Sequence, residues 1–255
     1  MMLRRSFLCA LPLLAAKDAP SRQARVVRLF KSPDGHPNAL ESTRDGLWIG
    51  EQITDNAYLV DWKGKMIQKV ATESSNTSGI AFGGGSLWMG TNGKATRRPA
   101  RPTDGTTGEV VEVDPNTGKT KSRHRVPGGG GLHGIEYVQD SLWMTSLKIQ
   151  KLSKVNPKSF DLLHQIPVHL GRAHGLAFVA PNAIWCMHST DRVIHKLDAR
   201  DGTLLEVVRL ASTDPDPHGM CMYKGHLYYC DAGLAPGGGS NESASAGYIC
   251  RIELG

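Results

Sequence analysis

No apolar stretch in this sequence is long enough to cross a bilayer: the longest, Phe7 to Ala16, has ten residues, about half of what a membrane helix needs. None of its five cysteines forms a CxxC pair, which speaks against a zinc ribbon. It has little excess of either charge. The formal net charge is +6, and the basic residues are too few and too dispersed for a nucleic-acid partner. Long helices are also disfavoured, because 29 Gly and 14 Pro favour many chain reversals. What remains is 255 residues with 40% hydrophobic content, a length that all-β chains often use as one domain.

Residues 1–20 read MMLRRSFLCALPLLAAKDAP. A basic pair, a short apolar run and small residues make an export signal, and RRSFL resembles the twin-arginine type, with Leu3 where Ser or Thr is usual. Cleavage is expected after Ala16 or Ala19. Loss of Arg4 and Arg5 lowers the charge by two, to about +4. The expected location is therefore periplasmic or secreted. There Cys186, Cys221, Cys230 and Cys250 can pair as two disulfides; a chain that folds before export can equally keep them as buried thiols.

An apolar–aromatic pair recurs at Leu47-Trp48, Leu87-Trp88, Leu142-Trp143, Ile184-Trp185 and Leu227-Tyr228, at spacings of 40, 55, 42 and 43 residues. A short apolar segment precedes each pair across a tight turn, and a third follows it and ends at Asp61, Asp114, Asn156 or Asp198. A fourth completes four of the units. Four short strands repeated at this period predict an all-β, five-bladed β-propeller over residues 21–255. A two-sheet sandwich does not account for the even spacing. The fifth unit lacks its fourth strand, while an orphan segment, Arg25 to Phe30, precedes the first. Its VVRL repeats Val207 to Leu210. The N-terminal strand is therefore expected to close the last blade.

The first strands of the blades begin at Asn38, Ser78, His133, His174 and His218, which should ring one mouth of the channel. Three imidazoles in adjacent blades suit one transition-metal ion, zinc above all, with a position left for substrate. Glu51, His188 and Asp231, at the ends of second strands, are candidate acid–base groups. Arg172, Arg97 and Arg98 join Asn38 and Ser78 as candidate substrate-binding residues, the last two arginines from a long basic loop, Asn92 to Thr107. Such a site takes a small molecule on the top face of what is expected to be a monomer.

GLWIGEQ with NAYLVDWKG, and SGIAFGGGSLWMG, are similar to the repeats of the virginiamycin B lyase family and its NHL and SMP-30 relatives. Glu51 matches the glutamate of that family's blade motif, and His133, His174 and His218 match its His-Gly strand starts. The resemblance implies a metal-dependent lyase, with magnesium as a further candidate ion, that opens a cyclic ester or peptide by β-elimination. The lyase has seven blades and this chain five. The three histidines also resemble the zinc site of the peptide amidating lyase. A lactonase-type hydrolase and a non-catalytic binding propeller are the alternatives. Plant-type glutaminyl cyclases are five-bladed too, but their motifs are not found here.

Overall fold

The structure, a computed structural model, describes residues 19–234 and 244–254. All but the end of the expected export signal lies outside these residues, as does the middle of the Gly/Ser-rich loop before the last strand.

The chain is an all-β, five-bladed propeller. Blade 1 is β3 (Pro37–Ser42), β4 (Leu47–Glu51), β5 (Asn56–Val60) and β6 (Met66–Ala71). Blade 2 is β7 (Thr77–Gly83), β8 (Ser86–Thr91), β9 (Glu109–Val113) and β10 (Thr120–Arg125). Blade 3 is β11 (Ile135–Val138), β12 (Ser141–Ser146), β13 (Lys151–Val155) and β14 (Leu162–Pro167). Blade 4 is β15 (Ala173–Val179), β16 (Ala183–His188), β17 (Val193–Asp198) and β18 (Leu204–Arg209). In blade 5, β19 (Met220–Tyr223), β20 (His226–Cys230) and β21 (Tyr248–Glu253) are completed by the N-terminal β2 (Arg25–Lys31). β2 runs antiparallel to β21, with Arg25 opposite Glu253 and Lys31 opposite Tyr248. The ring is thus closed as the repeat count requires. One strand was not foreseen: β1 (Ser21–Gln23) pairs in parallel with β18 and adds a fifth strand to blade 4.

The recurring sequence features explain the blades. Asp61, Asp114, Asn156 and Asp198 each accept backbone N–H bonds from residues two to four further on, for instance Lys63 and Lys65 to Asp61, both at 2.9 Å. These are side-chain-capped turns, which is why the position favours Asp or Asn. The aromatic of each second strand is buried, and each seam between neighbouring blades holds its own apolar cluster. Packing alternates along the strands: in β16, Ile184 and Cys186 face blade 3 while Trp185 and Met187 face blade 5. The four cysteines are buried, free thiols. Cys230 and Cys250 cannot pair because they sit on opposite faces of blade 5, one packed towards blade 1 and the other towards blade 4. No helix among the described residues is long and apolar enough to cross a membrane.

The first strands touch one another around the axis: β3 meets β7, β7 meets β11, and so on through β15 and β19 back to β3. Two carboxyl groups sit on these strands, Glu41 in blade 1 and Glu136 in blade 3. Blade 2 stands between their strands, so their mutual repulsion acts across the channel. Burial, and then this repulsion, raises Glu41 well above the ordinary carboxyl range, and burial likewise raises Glu136. A carboxyl raised in the folded state stabilises the fold fully only below its unfolded pKa of roughly 4.3, and that stability is lost as pH rises towards the folded value. Glu136→Gln is therefore expected to stabilise the protein at pH 8, by on the order of 1–3 kcal/mol, and to change little at pH 4. Urea unfolding at both pH values reads the difference.

Candidate functional site

The top mouth of the channel is built from irregularities in the first strands. In blades 1, 2 and 4 the ladder between first and second strands shifts register at Pro37/Ala39, Thr77/Gly79 and Ala173/Leu176. Asn38, Ser78 and His174 lie inside these bulges, where the backbone can re-aim a side chain. In blades 3 and 5 the regular strand starts two residues later than the repeat predicts, at Ile135 and Met220, leaving His133 and His218 just ahead of it. In blade 3 the Thr145 hydroxyl accepts the His133 and Gly134 N–H groups at 2.9 and 3.0 Å, replacing the missing ladder.

The five positions open on a cavity of about 190 Å³, smaller than the roughly 300–1,000 Å³ of drug-sized sites. Its lining contains Asn38, Ser78, His133, His174, His218, Arg172 and Arg97, all expected from sequence, together with Gln52, Asn76, Asn92, Thr96 and Leu234. No carboxylate stands among these described residues. Asn38 donates to the Ser78 hydroxyl at 3.0 Å, which ties blade 1 to blade 2.

The imidazoles follow one another round the wall, tilted for His133–His174 with 4.6 Å between ring centroids and edge-to-face for His174–His218 at 5.1 Å. His133 and His174 bury Nδ1 without a hydrogen-bond partner. His218 holds Nδ1 near the Asp216 carbonyl (3.3 Å) and the Ala232 N–H (3.4 Å). Nε2 of all three therefore faces the cavity. Burial, reinforced by the Arg172 cation, lowers His133 to about 3 and His218 to about 4; burial and the neighbouring imidazoles and Arg172 take His174 well down too. All three are neutral at pH 7.

Arg172 carries the only strained backbone among the basic lining residues, with φ +47°. Its guanidinium makes no hydrogen bond or salt bridge to a described residue, and burial lowers its pKa. Its nearest compensating charge, Asp216, is engaged by Arg192 at 2.9 Å.

The remaining expected site residues lie elsewhere. Glu51 is buried and accepts from Ile53 N–H (2.8 Å), the Thr54 hydroxyl (2.7 Å) and Thr54 N–H, closing the turn after β4. Asp231 accepts from Gly233 N–H (2.9 Å), Asp216 N–H (3.1 Å) and the Ser245 hydroxyl (3.2 Å), organising the loop after β20. His188 packs at 4.6 Å against His195, its Nδ1 3.3 Å from the Gly171 carbonyl. Arg98 is turned into ion pairs with Asp55 and Asp104. Gln52 and Asn92 were not among the site residues expected from sequence. Strand-end residues Glu51 and Thr91 point into the blade, and the next residue points into the mouth.

Three neutral imidazoles are good ligands for zinc or a similar ion, so the donor chemistry suits a metal. The arrangement does not. Among the described residues no group of three His, Cys, Asp or Glu side chains is placed to hold a metal ion, and loading one would require the rings to turn.

No protein-family profile matches this chain, and no curated protein matches it in sequence. Solved structures share its fold. Glutaminyl cyclase from Myxococcus xanthus superimposes with a TM-score of 0.66 at 13% identity, over 92% of this chain and 98% of that one. Virginiamycin B lyase from Staphylococcus aureus gives 0.51 at 17% identity, over 88% and 68%. A streptogramin B lyase gives 0.52 at 12% identity, over 91% and 98%. At these identities the likeness is one of fold.

Proposed function

We propose that this propeller binds a small molecule through an oxyanion, a carboxylate or a phosphate group, at the top mouth of its channel. The observation that carries the reading is Arg172: a half-buried guanidinium without a hydrogen bond or salt bridge to any described residue, in a wall whose described residues include no carboxylate. A fork of N–H donors at such a site matches an oxyanion in two places at once. The neutral imidazoles supply further donors through Nε2, and Asn38, Ser78 and Gln52 add neutral polar groups. The cavity volume restricts the ligand to a small one. The acid–base groups anticipated for lyase chemistry, Glu51, His188 and Asp231, do not line the cavity, and histidines held near pKa 3–4 are weak bases at neutral pH. Binding is thus better supported than turnover.

Titration calorimetry with malonate and with inorganic phosphate tests this and separates the two oxyanions. One of them should bind the wild-type protein. Arg172→Ala should weaken that binding roughly tenfold to a hundredfold, the range for a hydrogen bond to a charged group, and Arg172→Lys should restore only part of it. Equal affinity for wild type and Arg172→Ala would overturn the proposal.

A metal-dependent lyase is the second reading, favoured by the donor chemistry of three neutral imidazoles that line one cavity. His133, His174 and His218 would hold the ion only after their rings turn from their present arrangement. Stoichiometric zinc in the purified protein, lost when the three are replaced together by alanine, supports it; a metal-free protein counts against it.

A further inference from the structure

We infer that Asp55 and Arg98, with Asp104 and Arg101, form an ionic latch that fixes the 92–108 loop as a rigid wall of the top cavity. Asp55 and Arg98 are then positioning residues for the oxyanion site; the inference rests on that reading for its consequence, though not for the latch itself. Asp55 is fully buried in the turn between β4 and β5, and is itself in the left-handed region at φ +58°. One of its oxygens accepts from Thr77 N–H (3.0 Å) and the Thr77 hydroxyl (2.9 Å) of blade 2. The other accepts Arg98 Nε (2.9 Å) and Nη2 (2.6 Å). The far side of the same guanidinium reaches Asp104 at 2.8 and 2.6 Å. Arg101 binds Asp104 and the carbonyls of Thr72 (3.1 Å) and Ser74. The Ser75 hydroxyl accepts from Gly105 N–H (3.2 Å) and donates to the Gly93 carbonyl (3.0 Å), tying the loop near both its ends.

Every strong donor of Arg98 is thereby used, with side-chain exposures of 13% for Arg98, 0% for Asp55 and 8% for Asp104. A buried pair with both charges fully hydrogen-bonded costs more to break than it contributes when intact, so the loop has one arrangement and not several. Arg98 holds Asp104 well below the usual carboxylate range, whereas burial raises Asp55 against the lowering effect of its Arg98 and Thr77 hydrogen bonds. The functional consequence follows from chain direction. Arg98 turns inward to the latch, while its neighbours Arg97 and Thr96, with Asn92 at the loop's root, face the cavity. The latch places this second wall opposite Arg172.

Two readouts test it. Trypsin can cut the loop after Lys94 and Arg97, since Arg98 and Arg101 precede proline. In the folded wild type these bonds should resist; in Arg98→Ala they should be cut at least tenfold faster, with cleavage after Lys148 in blade 3 unchanged. Asp104→Asn, which keeps the buried Asp55–Arg98 pair, should give a smaller increase and serves if Arg98→Ala does not fold. The second readout is selectivity. Arg98→Ala should lower the ratio of malonate to acetate affinity at least threefold, because acetate is small enough for Arg172 alone; a purely structural role would shift both equally. Rapid cleavage after Lys94 in the wild type overturns the latch, and an unchanged ratio overturns its role in the site. If the wild type binds neither anion, the oxyanion reading fails while the protease result still decides the latch.

Discussion

A chain shortened to residues 32–255 should not fold. β2 is the outer strand of blade 5, and its loss leaves the whole of β21, from Tyr248 to Glu253, without a partner on one side. It also strips Val26 from the seam with blade 4 and Leu29 and Phe30 from the seam with blade 1. Both seams flank the point where the ring closes, so opening either exposes apolar surface at two neighbouring blades. Far-UV circular dichroism should retain some β signal while near-UV signal and the cooperative thermal transition disappear. The converse experiment is more informative. Because Arg25 lies opposite Glu253, residues 24–31 can be moved behind Leu254 through a short hairpin turn. That permuted chain should fold again with a cooperative transition. A shortened chain that unfolds at the wild-type temperature would contradict the closure.

The second large effect is expected at Gly175. A Cβ there would overlap the Met220 backbone nitrogen, just as one at Gly134 would strike the His174 carbonyl and one at Gly219 the Ala39 backbone. Each neighbouring atom is main chain of the next blade's first strand and cannot rotate away. The His-Gly pairs therefore record two needs at once: a histidine aimed at the mouth, and a glycine where adjacent strands meet round the axis. Overpacking of this kind costs about 1–3 kcal/mol or more, a fall in melting temperature of roughly 5–10 °C for a chain of this size. Gly175→Ala should fall at least that far, or fail to accumulate in soluble form. It should also weaken oxyanion binding, since it displaces His174. Gly171→Ala is the control: nothing lies within 4 Å of its added methyl, and its melting temperature should be unchanged. Equal behaviour of the two variants would show that the strands do not approach as described.

Much of this architecture could be read from the chain because the signals were repeated. The apolar–aromatic pairs, the Asx turns and the matching VVRL segments each recur, and repetition separates a structural requirement from chance. The cavity was legible for the same reason: Asn38, Ser78, His133, His174 and His218 hold one address in consecutive blades and do gather at one mouth. Features that occur once were not legible. β1 is three polar residues paired in parallel, with no alternation to mark it. In blades 1 and 2 the residue that lines the mouth is the one after the end of the second strand, Gln52 or Asn92, and not the strand-end residue itself. Glu51 and Asp231 were placed at the site, although their carboxylates close turns. Arg97 and Arg98 look alike in sequence, and only the buried Asp55 distinguishes the wall residue from the latch.

The most direct test of the account is a crystal structure of the protein grown or soaked with whichever of malonate and phosphate binds in solution. The account predicts density for the oxyanion within hydrogen-bonding distance of the Arg172 guanidinium and of at least one Nε2 among His133, His174 and His218, with the 92–108 loop unmoved. An anion bound only elsewhere on the molecule, with Arg172 turned out to solvent, would contradict it.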